Sequence, residues 1–146
     1  MNLDISLIPY GLLTKTLPQL NGYLSKAAEL TDGRSILDDI ARMIITGQYT
    51  LWTVFDLDKA SIVGFFATEV KQYSQCRMLC IHHCVTEPHY FEALEPYFEK
   101  TIVSFAKNSG CAGIEFIGRR GWEKYSKKYG YPSYAVMYQR FFKESS

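Results

Sequence analysis

Three cysteines and two histidines lie close together in the middle of the chain. Thiolates and imidazoles bind zinc and related metals, and imidazole also exchanges protons near neutral pH. This segment therefore offers two chemistries, metal binding and general acid–base catalysis. The residues concerned are Cys76, Cys80, His82, His83 and Cys84, with a fourth cysteine, Cys111, further along.

The spacing of these residues is not typical of a metal site. No two cysteines are separated by two residues, as they are in most structural zinc sites. Side chains alternate between the faces of a strand, so the segment divides into two sets. We expect Cys76, Cys80, His82 and Cys84 on one face and Ile81, His83 and Val85 on the other. A buried reduced cysteine packs as a small hydrophobic residue, so the sequence favours core packing and no metal ligands.

Composition and charge limit the class of protein. Of 146 residues, 47% are hydrophobic and 15% aromatic, and the formal net charge is +1. A chain of this composition forms a packed core rather than a disordered segment. No apolar run reaches the length of about 18 residues that a membrane span requires. The first residues also lack the basic stretch of a secretory signal. We expect one domain, residues 1–146, located in the cytoplasm with no membrane partner.

Elements of both kinds must position the cysteine and histidine segment. Alternation and β-branched or aromatic residues predict strands at 3–7, 49–55, 62–70, 77–85, 112–117 and 134–142. Helical periodicity predicts helices at 18–30, between caps at Ser35 and Gly47, at 95–107 and at 121–129. The turns within 49–85 are short, which predicts that its three strands pair as an antiparallel meander.

This order of elements, together with five short motifs, resembles the GNAT superfamily of acetyl-CoA-dependent N-acetyltransferases. The motifs are Ile62-Val63-Gly64-Phe65, Phe105-Ala106-Lys107-Asn108-Ser109-Gly110, Ile114-Glu115-Phe116-Ile117, Gly118-Arg119-Arg120-Gly121-Trp122-Glu123 and Lys127-Lys128-Tyr129-Gly130-Tyr131. The motif at 118–123 is most similar to small phage-encoded GNAT-like proteins. The resemblance implies an α+β, single-domain fold with a central, mostly antiparallel mixed sheet and helices on both faces.

The resemblance also implies where acetyl-CoA would bind. In GNAT enzymes a glycine-rich loop with a basic residue presents backbone N–H groups to the cofactor pyrophosphate, at the start of the helix after the meander. Aligned on that loop, Tyr90 takes the basic position, and Ala93 and Glu95 take the two glycine positions. The cofactor-binding positions carried over are Val85, Ala93, Leu94, Glu95 and Arg119.

This loop departs from the family pattern. Residues 90–95 contain no glycine and no basic side chain. With Pro96 opening the helix, the Glu95 carboxylate lies beside the positive end of the helix dipole, where the family places a phosphate. A pyrophosphate placed there meets a like charge. Arg119 and Arg120 offer a partial replacement for the missing basic residue.

The candidate catalytic residues come from three elements. Many GNAT enzymes protonate the leaving thiolate with a tyrosine, and the equivalent position here is Ser126. Its neighbour Tyr125 is either a substitute acid or a core residue on the stripe of Trp122 and Tyr129. The candidate bases are His82 and His83 on the third meander strand and Glu69 on the second. Each of these histidines is either a base or a packing residue.

Three functions follow from these observations. The first is a GNAT-fold protein, phage-encoded, that requires no cofactor and serves as a non-catalytic assembly or protein-binding component, in the host cytoplasm or the virion. Its expected partner is another protein or a second copy of the chain. The second is an active acetyltransferase that uses acetyl-CoA. The third is a nucleic-acid-associated factor that uses the basic residues near the C-terminus, and we expect this partner least.

Overall fold

A five-stranded mixed sheet forms the centre of the protein. The computed structural model describes residues 1–118 and 122–142. The strands are β1 (Leu3–Leu7), β2 (Thr50–Asp56), β3 (Ser61–Gln72), β4 (Arg77–Thr86) and β5 (Gly113–Phe116), in that spatial order. Neighbouring strands are antiparallel except β4 and β5, which are parallel. The predicted meander and the mostly antiparallel mixed sheet are both confirmed.

Six α-helical segments and several tighter or wider turns complete the described structure. The helices are α1 (Leu13–Thr16), α2 (Asn21–Glu29), α3 (Leu37–Ile45), α4 (Glu95–Phe98), α5 (Ser104–Asn108) and α6 (Glu123–Lys128). A π-helical turn, Glu99–Val103, joins α4 to α5, and 3₁₀ turns lie at Tyr10–Leu12, Leu17–Leu20 and Phe91–Ala93. Pro96 stands in the first turn of α4, as the sequence predicts. Within the described residues, no helix is long and apolar enough to cross a bilayer.

Helices cover both faces of the sheet, which confirms the predicted layers. On one face, α2 and α3 bury leucine and isoleucine side chains, such as Leu24 and Ile40, against Phe65 of β3. On the other face, Leu94 and Ile102 pack against Phe66 of β3 and its neighbours. We call these the α2 face and the α4 face. Adjacent β3 residues therefore pack into the cores on opposite faces of the sheet, which explains why this strand is apolar at consecutive positions.

A β-bulge interrupts the pairing of β3 with β4 in the middle of the sheet. Ala67 pairs with His83 and Thr68 pairs with Ile81, so His82 has no partner residue on β3. One extra residue in a strand shifts the alternation of every side chain that follows it. The bulge therefore decides which side chains of β4 reach each face.

The parallel pairing of β4 with β5 covers only part of β4. Four residue pairs join the two strands, from Met78–Gly113 to Ile81–Phe116. Beyond Ile81, β4 continues to Thr86 while β5 has ended. Because the second half of β4 has no neighbour on this edge among the described residues, the sheet opens there into a cleft.

Two predictions about helix and strand limits were wrong. The cap of α3 lies one residue later than predicted, because the Ile36 backbone N–H donates to the Asp39 carboxylate at 2.9 Å, in place of the Ser35 and Asp38 pair. The strand predicted at 134–142 is not formed, since residues 131–142 have no regular secondary structure. Their alternating apolar pattern is real, but no neighbouring strand in the described part of the chain pairs with them.

Candidate functional site

The cleft between β4 and β5 contains a cavity of about 800 Å³ that is lined by residues from both faces of the sheet. A cavity of this size accommodates a small organic ligand. Its floor is residues 81–85 of β4. Its walls come from the α2–α3 loop on the α2 face, from residues around α4 on the other face, and from aromatic residues after β5. The cavity therefore contains the histidine pair and adjoins the predicted cofactor loop.

The bulge brings both histidines to the same aromatic ring. The ring of His82 stacks on Tyr49 at 4.3 Å between centroids, and His83 meets the same ring edge-on at 5.9 Å. The sequence predicts His82 and His83 on opposite faces, which is wrong because strict alternation takes no account of a bulge. Tyr49 is a site residue that the sequence analysis missed.

Glu69 on β3 fixes the orientation of His82. The Nε2 atom of His82 lies 2.7 Å from Oε1 of Glu69, and both side chains are about four-fifths buried. An ionised carboxylate only accepts hydrogen bonds, so Nε2 is the donor and carries a proton. The other ring nitrogen, Nδ1, lies 4.0 Å from the Cys80 sulfur. This nitrogen is the atom of the pair that can accept a proton from a ligand.

His83 differs from His82 in its electrostatic environment. Burial disfavours the charged imidazolium, and the nearby His82 adds to this effect, so the pKa of His83 falls to about 4. His83 is therefore a neutral ring at physiological pH. It lines the cavity as a packing group, edge-on to Tyr49.

The bulge also separates the cysteines of β4. Cys84 packs on the α4 face, whereas Cys80 lies next to His82 on the other side of the strand, so the predicted single stripe of cysteines is wrong. Burial raises the pKa of both thiols. Protonated thiols are poor metal ligands, which favours the packing role. Across the described residues, no three His, Cys, Asp or Glu side chains are grouped to hold a metal ion.

Tyr90, at the basic position of the family loop, points into the protein. Its side chain is 5% exposed, and its hydroxyl donates to Oδ2 of Asp56 at the end of β2. The Asp56 carboxylate also accepts from the backbone N–H groups of Asp58 and Lys59. These hydrogen bonds, that of Tyr90 foremost, lower the pKa of Asp56. Tyr90 therefore belongs to a structural network and not to the cleft.

The loop backbone is also unsuited to bind phosphate. Residues 91–93 form a 3₁₀ turn, in which the N–H groups of Ala93 and Leu94 donate to carbonyl oxygens of the loop itself, at 3.0 and 3.2 Å. Pro96 has no N–H group, and Glu95 places a carboxylate in the first turn of α4. These N–H groups already have partners, and the charge beside them is negative.

The remaining predicted cofactor positions differ in their surroundings. Val85, Leu94 and Glu95 line the cavity, while Ala93 does not. Val85 and Leu94 are buried in the two cores, so they supply apolar wall and no hydrogen bonds. Arg119 and Arg120 lie outside the described residues. The assignment of these positions to acetyl-CoA stays a prediction.

Tyr125 faces the cavity from α6. Its hydroxyl donates to the Glu92 carboxylate at 2.9 Å, and its ring meets Phe91 edge-on at 4.9 Å. Ser126 lines the same cavity, with its hydroxyl bound to the Glu123 carbonyl. Tyr125 is therefore half-buried at the cleft and hydrogen-bonded, a position that suits either a packing residue or a proton donor.

The chain matches no protein-family model and no curated protein sequence. Its structure is similar to that of AAC(6')-Iy in complex with a bisubstrate analogue of CoA, with a TM-score of 0.70, 11% identity, and coverage of 97% of this chain and 99% of the other. A GNAT family acetyltransferase from Staphylococcus aureus gives a TM-score of 0.65 at 13% identity over 97% and 100% of the chains. A predicted acetyltransferase with acetyl-CoA from Clostridium acetobutylicum gives 0.66 at 13% identity over 96% of each.

These likenesses define the class of fold. The protein has the α+β GNAT acetyltransferase fold, as the resemblance of its motifs implies. At these identities the likeness establishes the fold and leaves the activity open. The predicted closeness to phage-encoded proteins receives no support from the compared structures.

Proposed function

We propose that this protein uses the GNAT cleft for binding and does not catalyse acetyl transfer from acetyl-CoA. The hydrogen bond between Tyr90 and Asp56 carries the proposal, because it takes the residue at the phosphate-binding position out of the cleft. The internally paired N–H groups of Ala93 and Leu94 and the carboxylate of Glu95 add to it. No cofactor is required for this role.

The loss of these contacts is large on the scale of cofactor affinity. A hydrogen bond to a charged group contributes about 1.5–3 kcal/mol, and about 1.4 kcal/mol changes an equilibrium constant tenfold. Losing two or three such contacts therefore weakens binding by several orders of magnitude. A carboxylate about 4 Å from a phosphate adds a repulsion of about 1–4 kcal/mol, depending on the effective dielectric.

The C-terminal segment supports a role in protein assembly. Tyr134, Tyr138 and Phe142 are 102%, 90% and 91% exposed, although aromatic side chains of this size are usually covered. An assembly component buries such residues against a protein partner or a second copy of the chain. The phage virion protein that the motif at 118–123 suggests is a component of this kind.

An active acetyltransferase is the second candidate function, and one observation favours it. His82, held in place by Glu69, lines a cavity that Tyr125 also lines. A proton acceptor and a proton donor on one cleft are the two groups that amine acetylation needs. In this case acetyl-CoA binds without the usual loop, and these residues take the catalytic roles.

Thiol release from acetyl-CoA separates the two candidates. The purified protein is mixed with acetyl-CoA and a panel of primary amines, and free CoA thiol is measured over hours, beside a His82→Ala variant and a no-protein blank. The proposal predicts release equal to that of the blank for both proteins. Amine-dependent turnover that His82→Ala abolishes contradicts the proposal and establishes the acetyltransferase.

A further inference from the structure

The thiol of Cys80 lies beside His82 in an arrangement that the proposed function does not use. Its sulfur is 4.0 Å from Nδ1 of His82, the ring nitrogen that carries no proton, because Nε2 donates to Glu69 at 2.7 Å. A nucleophile, a base beside it and a carboxylate that orients the base are the parts of a nucleophilic triad. Cys80, His82 and Glu69 are residues of these three types, and we call them the thiol triad.

The sheet holds the thiol triad in place. Glu69 and Cys80 are paired across β3 and β4, and His82 lies two residues after Cys80 on β4. The ring of His82 also stacks on Tyr49 at 4.3 Å between centroids, which fixes its plane. Because all three residues belong to strands, their geometry is more rigid than that of a site built on loops.

The Cys80 thiol needs a base in order to react. Burial, as the main cause, raises its pKa, and the carboxylates of Glu115 and Glu69 add to this effect, while Lys71 opposes it. The thiol is therefore protonated at physiological pH, and Nδ1 of His82 is the acceptor beside it. The other ionisable side chains near the sulfur are Tyr49 and Tyr73.

The surroundings of Cys80 favour a small, uncharged reactant. Cys80 is partly exposed, but it is not among the described residues that line the large cavity, so a bulky substrate has no chamber beside the sulfur. Glu69 and Glu115 pair with Cys80 from the two neighbouring strands. Their charges repel anions and oppose the oxyanion that forms in acyl transfer. Hydrogen peroxide is small and neutral and forms no such oxyanion.

We infer that Cys80 is a redox-modification site, at which hydrogen peroxide converts the thiol to a sulfenic acid with His82 as general base and Glu69 as positioning residue. The thiol proton moves to Nδ1, and the sulfur attacks one peroxide oxygen, so that an S–O bond forms and the O–O bond breaks. The leaving hydroxide takes the proton from the imidazolium and becomes water. One thiol and one peroxide thus give one sulfenic acid and one water.

Peroxide treatment in the presence of dimedone, which traps sulfenic acids, tests this inference by peptide mass spectrometry. We expect Cys80 to be labelled at least about tenfold faster than Cys76, although Cys76 is the more exposed thiol. Cys84 and Cys111 serve as further internal references in the same sample. The comparison needs no variant, so it decides the outcome even if a substitution in the sheet prevents folding.

Two matched histidine variants test the base. His82→Asn removes the proton acceptor and slows labelling of Cys80 at least about tenfold, while Cys76 keeps its rate. His89→Asn makes the same change at an exposed histidine outside the cavity, where the φ of 75° suits asparagine, and leaves both rates within about twofold. Across the neutral range the Cys80 rate changes little with pH in the unchanged protein, whereas in His82→Asn it rises about tenfold per pH unit, as for a bare thiol.

Substitution of Glu69 tests the positioning role. Glu69→Leu removes the acceptor of the Nε2 proton and slows labelling of Cys80 at least about fivefold. Glu69→Gln keeps an acceptor oxygen and restores most of the rate, which a purely structural role of the charge does not predict.

Three results overturn the inference. They are equal labelling of Cys80 and Cys76 in the unchanged protein, an unaltered rate and pH profile in His82→Asn, and equal losses in His82→Asn and His89→Asn. None of these outcomes depends on whether the protein binds acetyl-CoA, so the proposed function is tested separately.

Discussion

The hydroxyl of Tyr90 lies 2.5 Å from Oδ2 of Asp56, so the loop before α4 is tied to the end of β2. Lys59, in the turn after β2, lies over the same tyrosine ring at 5.6 Å. The loop before α4, which the resemblance aligns with the pyrophosphate loop of GNAT enzymes, therefore has a structural partner inside the protein. The Tyr90 side chain cannot bond to Asp56 in this buried network and contact a ligand in the cleft at the same time.

Removing the Tyr90 hydroxyl destabilises the protein. Tyr90→Phe leaves the buried Asp56 carboxylate without its strongest hydrogen bond, and an unpaired buried acceptor is costly. We expect Tm to fall by about 3–8 °C in a thermal melt. Tyr97→Phe, which removes a bond to the Met1 carbonyl at the chain end, is the matched control and shifts Tm by less than about 2 °C. Equal shifts in the two variants contradict the network.

Stability depends on pH through His83. Its pKa is about 4 in the folded protein, against an ordinary value of 6.5, so the unfolded chain binds more protons between these limits. The free energy of unfolding therefore falls as pH is lowered from 6.5 to 4, by up to about 2–3 kcal/mol. Urea unfolding at several pH values measures this slope. His83→Leu flattens it, and an unchanged slope in that variant counts against burial as the cause.

Gly64 is required where β3 passes β4. A Cβ atom at this position lies 2.4 Å from the Val85 carbonyl oxygen and 2.8 Å from Thr86 Cα, both of which are backbone atoms. Gly64→Ala therefore destabilises the protein by more than about 2 kcal/mol. Gly22→Ala, in α2 with nothing within 4 Å, stabilises it by about 0.5–1 kcal/mol. A neutral Gly64→Ala in urea unfolding shows that β3 and β4 are not packed this closely.

Gln139 holds the C-terminal segment against the α2–α3 loop. Its amide accepts from Arg34 at 2.8 Å and donates to Asp32 at 3.0 Å. Gln139→Ala removes both bonds, so we expect chymotrypsin to cleave residues 134–142 several-fold faster. Arg140→Gln, a neighbouring change that leaves both bonds, is the control and keeps the original rate. Cleavage at one rate in all three proteins rules out the anchoring role.

The sequence predicts the elements of this fold better than the details of its site. Periodicity locates five strands and the main helices, because burial on each face imposes it. The bulge at His82 results from the pairing of β3 with β4 and cannot be recognised in the local sequence pattern. The strand faces predicted for His83 and Cys84 were therefore wrong. Tyr49 was missed because its contact with His82 joins residues far apart in the chain.

The predicted loss of the phosphate loop depends on residue types, which the sequence states directly, and it stays a prediction. The structure adds the contact of Tyr90 with Asp56, which lies on β2 and which no local signal identifies. The prediction of a strand at 134–142 was wrong for a related reason. An apolar alternating segment predicts a strand only where a neighbour pairs with it, and residues 131–142 have none in the described structure.

Calorimetric titration of the protein with acetyl-CoA tests the central claim most directly. With Tyr90 bound to Asp56, the N–H groups of Ala93 and Leu94 already paired and the Glu95 carboxylate beside them, we predict no measurable heat up to high micromolar cofactor. Saturable one-site binding with a low-micromolar Kd contradicts the account, because it requires a phosphate site that this loop does not provide.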